Sequence, residues 1–200
     1  MKERVKQLTQ VVLGLGIMAL GLTLLISVGG PDPWGFFLLS LYKHLPLSLG
    51  VTSFLGGGIL VLFNLAVGKR RPGIATPISI AVVGVMIDLL FLIPWFHLEF
   101  SQLARIVLLA VGIVVMALGI AVYVLAGLGE GPVEGMMFVI HQRMKISVGK
   151  ARVAQDCFFV LLGLLLGAKL GPGTFISAIS VGPVTNFFLA NIPQVVNKFR

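Results

Sequence analysis

VVLGLGIMALGLTLLISVGGPDPWGFF, residues 11–37, decides how this chain folds. Its first 18 residues carry no charge. An α-helix rises about 1.5 Å per residue, so about 20 such residues cross a hydrocarbon core about 30 Å thick. The run then breaks on Gly29-Gly30-Pro31-Asp32-Pro33 and resumes as an apolar stretch too short to cross. A full-length helix, a Gly/Pro turn and a half-length helix is therefore the local unit to look for elsewhere.

The rest of the chain has the same texture. Of 200 residues, 58% are hydrophobic and 11% are charged, and the mean hydropathy is +1.06. A soluble domain carries about 25% charged residues, and a globule of this length has too little interior for so much apolar chain. The composition excludes a secreted disulfide scaffold, a disordered chain and an ordinary cytosolic enzyme, and points to an integral membrane protein. Fifteen Lys and Arg against seven Asp and Glu give +8. In a membrane protein that excess belongs to cytoplasmic loops and does not call for nucleic acid. MKERVKQ precedes a full-length apolar run without an A-x-A-like site, so it reads as a retained first helix. Cys157, the single cysteine, lies in an apolar run and is expected to be a buried, inert thiol.

Six segments reach spanning length: 8–28, 48–67, 73–95, 102–127, 150–168 and 173–192. Two more, 34–45 and 133–144, hold 12 residues each, about 18 Å of helix, and are either re-entrant or interfacial. No period-2 alternation supports a β-barrel. With the N-terminus inside, six spans put 12 Lys and Arg in the cytoplasm (Lys2, Arg4, Lys6, Lys69, Arg70, Arg71, Arg143, Lys145, Lys150, Arg152, Lys198, Arg200) against Lys43, Arg105 and Lys169 outside. Eight spans would give 11 against 4, so helix length and the translocation cost of Lys69–Arg70–Arg71 favour six, with both termini in the cytoplasm.

The unit recurs. MALG stands at 18–21 and 116–119, GPDPWG at 30–35 is echoed by GEGPVEG at 129–135, and Pro-Gly opens the third span of each half at 72–73 and 172–173. VGVMIDLLF (83–91) matches VGPVTNFFL (181–189). Residues 1–100 and 101–200 thus form two membrane repeats. Three crossings per repeat is odd, so the second enters from the opposite side. The expected fold class is all-α, a polytopic transmembrane helical bundle of six spans and two half-helices built as a 3+3 inverted repeat. Such repeats place solute sites at their interface, beside interrupted helices whose unpaired N–H groups and positive dipole ends lie within the membrane.

The Pro-Trp turn with its short helix, the Pro-Gly starts and the GPGTF…VGP run at 171–183 resemble the YczE/YyaS/YitT family of bacterial integral membrane proteins over nearly the whole chain. The resemblance implies a bacterial inner-membrane location, an acid near the Trp turn and another in the third span. Gly35 stands where an acid would follow Trp34, with Asp32 nearby; Glu134 occupies the second turn, and Asp88 matches the acid of the third span. No catalytic residues come with it.

A carboxylate inside a span is expensive and faces the bundle interior. Asp88 therefore leads the candidates. Its repeat partner is Asn186, and the pair reads either as the lining of a pathway, with Asp88 holding a cation or proton, or as an interhelical packing bond. Asp32, Trp34 and Glu134 at the two turns complete the expected substrate-binding set. The alternative there is a loop feeding an interfacial helix, with Trp34 anchored among headgroups. Asn64, late in the second span, is a further candidate, and Glu130 belongs with Glu134 to a vestibule or a solvated loop. Arg152 and Asp156, four apart, are expected to form a structural ion pair. Gly56–Gly58 should let helices approach closely, with a hinge as the alternative.

Three isolated histidines and one cysteine offer no metal-ligand spacing. No P-loop, G-x-S-x-G or H-E-x-x-H is present. The expectation is no metal, no cofactor and no catalysis. The partners expected are the bilayer, a small solute or ion and, in a homo-oligomer, further copies of the chain, without nucleic acid. The leading function is a small-solute transporter or channel-like permease with its site at the repeat interface. The second is a non-transporting scaffold or regulatory partner of a membrane or biosynthetic complex, using its basic cytoplasmic loops for docking.

Overall fold

A computed structural model describes residues 2–69 and 72–198. Arg70, Arg71 and Arg200, members of the expected cytoplasmic charge set, lie outside the described residues. The chain is all-helical: α1 (Lys2–Ser27), α2 (Pro33–Tyr42), α3 (Leu49–Ala66), α4 (Ala75–Phe91), a 3-10 turn (Pro94–His97), α5 (Gln102–Val124), α6 (Pro132–Met144), α7 (Val148–Leu165) and α8 (Pro172–Lys198). Among the described residues, four helical stretches are long and apolar enough to cross a membrane: Glu3–Ser27, Leu49–Ala66, Gln102–Val124 and Pro172–Ile192. Helix α4 is apolar but only 17 residues long, and α7 carries Lys150, Arg152 and Asp156.

Helix starts follow from local chemistry. Ser48, Ser101 and Ser147 each accept a backbone N–H three residues on, from Val51, Ala104 and Lys150, which satisfies one of the donors a helix leaves unpaired. Pro33 and Pro132 open the two short helices, where a missing N–H costs nothing. Ends are equally legible. Gly29 (φ 75°) closes α1 in the left-handed region that glycine adopts without strain, and Gly127 (φ 70°) follows α5 in the same way. Helix α4 stops at Phe91, four residues before the expected end at 95, because Ile93 precedes Pro94 and takes an extended conformation (φ −80°, ψ 119°). Hydroxyls within the apolar helices bond back one turn, as Thr23 does to Ala19 O at 2.8 Å and Thr185 to Val181 O at 2.7 Å, so these hydroxyls are satisfied within their own helices.

The chain forms two compact units. One gathers α1, α5, α8 and the 3-10 turn. Here α1 and α5 pack antiparallel through glycines. A β-carbon on Gly14 would stand 2.5 Å from Tyr123 N; one on Gly21 would run into the backbone of Met116, and one on Gly119 into that of Met18. The two MALG segments thus lie against each other, and each glycine meets the methionine of the other copy.

The second unit gathers α2, α3, α6, α7 and most of α4. Helix α2 packs on α7 and α6 packs on α3. The units therefore draw on both sequence halves and do not follow the 1–100 and 101–200 division. Trp34 is buried, 4.9 Å from Phe159 in an edge-on pair, and Gly56 leaves room for its ring. Trp34 is thus a packing residue of this unit. A β-carbon on Gly57 would stand 3.1 Å from Ile80, closer than ordinary contact, whereas one on Gly58 would meet nothing within 4 Å, so close approach uses two glycines of the run.

The expectation for Cys157 is corrected: it is exposed. Helix α7 buries Ala151, Gln155, Phe159 and Gly163, spaced four apart. Cys157 lies two residues from Gln155, about 200° around the helix, on the opposite face.

Candidate functional site

The site grows from the start of α6. Gly131 is its N-cap and supplies no side chain, and Pro132 has no N–H, so the first turn depends on neighbours. Asn64 of α3 donates Nδ2 to Pro132 O at 2.9 Å. Gln155 of α7 donates Nε2 to Val133 O at 3.0 Å. Both carboxamides are deeply buried, Asn64 at 7% exposure and Gln155 at 0%. A carbonyl only accepts, so each amide must turn its nitrogen to α6 and its oxygen away. Asn64 Oδ1 and Gln155 Oε1 are left buried without a hydrogen-bond partner. Such an oxygen costs about 1–3 kcal/mol unless something donates to it.

The start of α4 closes the other side. Ala75 N–H donates to Leu128 O at 3.1 Å, and the Thr76 hydroxyl donates to Glu130 O at 2.7 Å. Gly73 lies so close that a β-carbon there would stand 2.5 Å from Leu128 O. Between these elements is a cavity of about 170 Å³. Asn64, Gly73 and Thr76 line it from the first half of the sequence; Glu130, Gly131 and Gly135 line it from the second. At the far end of α6, Arg143 donates through Nε to Val67 O at 2.9 Å, a cation where the helix dipole is negative.

The equivalent turn before α2 is built alike. Ser177 of α8 donates its hydroxyl to Pro31 O at 2.9 Å, as Thr76 does to Glu130 O. A β-carbon on Gly173 would stand 2.7 Å from Gly30 Cα, and one on Gly73 stands equally close to Gly129 Cα. Asp32 is 2% exposed in this turn.

The expected residues fare unevenly. Asp88 is engaged by the start of α3: Ser48 donates its hydroxyl to Oδ2 at 2.5 Å, and Gly50 N–H donates to Oδ1 at 2.7 Å. These bonds brace the start of α3, and Asp88 is not among the residues that line the cavity. Asn186 is exposed on α8, in the unit that does not contain Asp88. Glu134 lies in the first turn of α6, half-buried. Arg152 and Asp156 form the expected ion pair, 3.1 Å apart. Asn64 and Glu130, secondary candidates in the sequence, are the ones that meet at the cavity. Gln155 and Thr76 were not singled out as site residues, because their partners lie 22 and 54 residues away.

Apolar helices of spanning length, hydroxyls satisfied within their own helices and a small polar cavity at a half-length helix define an integral membrane protein of the polytopic α-helical class. More narrowly, the chain belongs to a family of unknown function, DUF6198, whose profile matches residues 5–190. It is 30% identical over 187 residues to the uncharacterized membrane protein YczE of Bacillus subtilis, covering 92% of this chain and 86% of that one. An uncharacterized protein of Haemophilus influenzae is likewise 30% identical, over 95% of this chain and 88% of its own. The uncharacterized protein YyaS of Bacillus subtilis is 25% identical over 88% of this chain and 89% of its own. No solved structure matches.

Proposed function

We propose that this protein is a small-solute transporter or channel-like permease of the bacterial inner membrane, built from six spans and two re-entrant half-helices in a 3+3 inverted repeat, with both termini cytoplasmic. The cavity at the start of α6 carries the reading. Both sequence repeats line it, it lies beside a helix too short to cross, and Asn64, whose buried carboxamide oxygen has no hydrogen-bond partner, is among its lining residues. Inverted-repeat transporters concentrate their solute sites at such places.

Three further observations support the architecture. The MALG copies meet glycine to methionine in both directions. The turns before α2 and α6 are each held by a hydroxyl from the first part of another helix, Ser177 of α8 and Thr76 of α4. Six spans leave 12 basic residues in the cytoplasm against three outside. Helices α4 and α7 complete the six. The 17 residues of α4 make about 26 Å of helix, short enough to require local bilayer thinning. The charges of α7 lie in its first half, Arg152 paired with Asp156.

The test is uptake by proteoliposomes holding the full chain, screened across small ions, amines, amino acids and organic acids. The reading requires one saturable flux that falls when the cavity is altered at Asn64 or Thr76. A full screen with no flux above protein-free vesicles would overturn it.

A further inference from the structure

Helix α8 carries a polar group that its own chain leaves facing outward. The helix is apolar and of spanning length over Pro172–Ile192, yet only 11% of its spanning window is buried, against 44–50% in the other three helices of that kind. For Phe175, Ile179 and Phe187, each about 60% exposed, a lipid tail is a sufficient neighbour. For Asn186, also exposed, it is not. Asn186 stands about 21 Å of helix past Pro172 and about 9 Å before Ile192, inside a hydrocarbon core about 30 Å thick. A carboxamide held there without a hydrogen bond is costly. Asn191, five residues on, returns its Nδ2 to Phe187 O at 2.7 Å. Among the described residues no group meets the Asn186 carboxamide in this way. Its counterpart in the sequence repeat, Asp88, is by contrast satisfied by Ser48 and Gly50.

The chemistry of the group selects its partner. A carboxamide both donates and accepts, so it is complementary to another copy of itself. Two copies inserted in the same orientation and related by a two-fold axis along the membrane normal bring their Asn186 side chains to the same depth. Each Nδ2 then donates to the other Oδ1, which is the reciprocal contact an isologous interface requires. We propose that the exposed face of α8 is the interface of a homodimer, with Asn186 of one copy paired to Asn186 of the other. Phe175, Ile179 and Ala190 share that face by helical spacing and are exposed with it. A β-carbon on Gly182 would meet nothing within 4 Å, so the chain itself does not obstruct the approach. The inference goes beyond the transport reading and does not depend on it: the interface would hold whether or not a solute crosses.

The test is energy transfer between full-length chains labelled at their N-termini with donor or acceptor and reconstituted together in vesicles of phosphatidylethanolamine and phosphatidylglycerol. Transfer is expected above random mixing, falling on dilution with lipid as a monomer–dimer equilibrium. Asn186→Leu should raise the dissociation constant about tenfold or more, the scale of interhelical polar contacts in a bilayer, and Asn186→Gln, which keeps the carboxamide, should stay within about threefold of the native chain. In a Cys157→Ser background, Ile179→Cys should cross-link into dimers on oxidation. Leu161→Cys, 54% exposed on α7, should not. If Asn186→Leu does not fold, the Ile179→Cys cross-link decides. Transfer no greater than random mixing, undiminished association of folded Asn186→Leu, or cross-linking at Leu161→Cys equal to that at Ile179→Cys would each overturn the proposal. Association is read without flux, so its failure leaves the transport reading standing.

Discussion

Asn64 and Gly135 share one space: a β-carbon on Gly135 would stand 2.5 Å from Asn64 Nδ2. In the other sequence half the sizes are exchanged. Gly163 of α7 leaves room for Phe36 of α2, and a β-carbon on Gly163 would stand 2.5 Å from the Phe36 ring. Each short helix thus meets a long helix through a glycine, which the short helix supplies in one case and the long helix in the other. The exchange makes the two joints chemically different. The Phe36 joint is filled by a ring, whereas the Asn64 joint holds a polar group beside a cavity.

Gly135→Ala should therefore push Asn64 away from Pro132 O. The expected loss is about 1–3 kcal/mol, the range for overpacking a tight site. Combining it with Asn64→Ala should recover part of that loss, since the clash disappears with the side chain. Thermal unfolding of the single and double variants measures the coupling; strict additivity would show that the two residues do not compete.

Asp88 makes a second prediction. Asp88→Ala removes the acceptors of Gly50 N–H and the Ser48 hydroxyl and should lower stability by about 1–3 kcal/mol. Asp88→Asn keeps one oxygen for Gly50 and should cost less. Both variants, once folded in proteoliposomes, should retain flux. Asp88→Asn that keeps full stability but loses flux would return Asp88 to the pathway.

The glycine contact of α1 with α5 gives a sharp contrast. A β-carbon on Gly21 or Gly119 meets backbone, which cannot rotate aside, while Gly58 and Gly182 face open space. Gly21→Val and Gly119→Val should cost about 3 kcal/mol or more and yield aggregated protein on size-exclusion chromatography. Gly58→Ala should elute normally. Normal behaviour of both valine variants would contradict the helix register.

Topology is testable with thiols in a Cys157→Ser background. Lys69→Cys should react with a membrane-impermeant maleimide only after the cytoplasmic face is opened, and Lys43→Cys should react on intact cells. Labelling of Lys69→Cys from outside would remove the six-span arrangement.

Much of this fold was legible because helix boundaries are set locally. The start of α5 at Gln102 and the end of α6 at Met144 follow from a serine cap and from a left-handed Lys145. The division into compact units was not legible, because it depends on pairing between halves. The site was legible in part. The Gly/Pro turn before α6 could be read as special from its composition. Asn64 could not be ranked above Asp88, since the sequence does not show that Pro132, 68 residues on, takes the Asn64 amide while Ser48 and Gly50 occupy the Asp88 carboxylate. The burial expected of Cys157 failed for a related reason: an apolar run does not show which side of its helix meets protein.

The most direct test of the central claim is saturable uptake into proteoliposomes, compared between the native chain and the Asn64→Leu and Thr76→Val variants at matched protein incorporation. The account predicts uptake of at least one small solute by the native chain and a loss of about tenfold or more in both variants. Uptake that both variants match would contradict the assignment of the α6 cavity as the solute site.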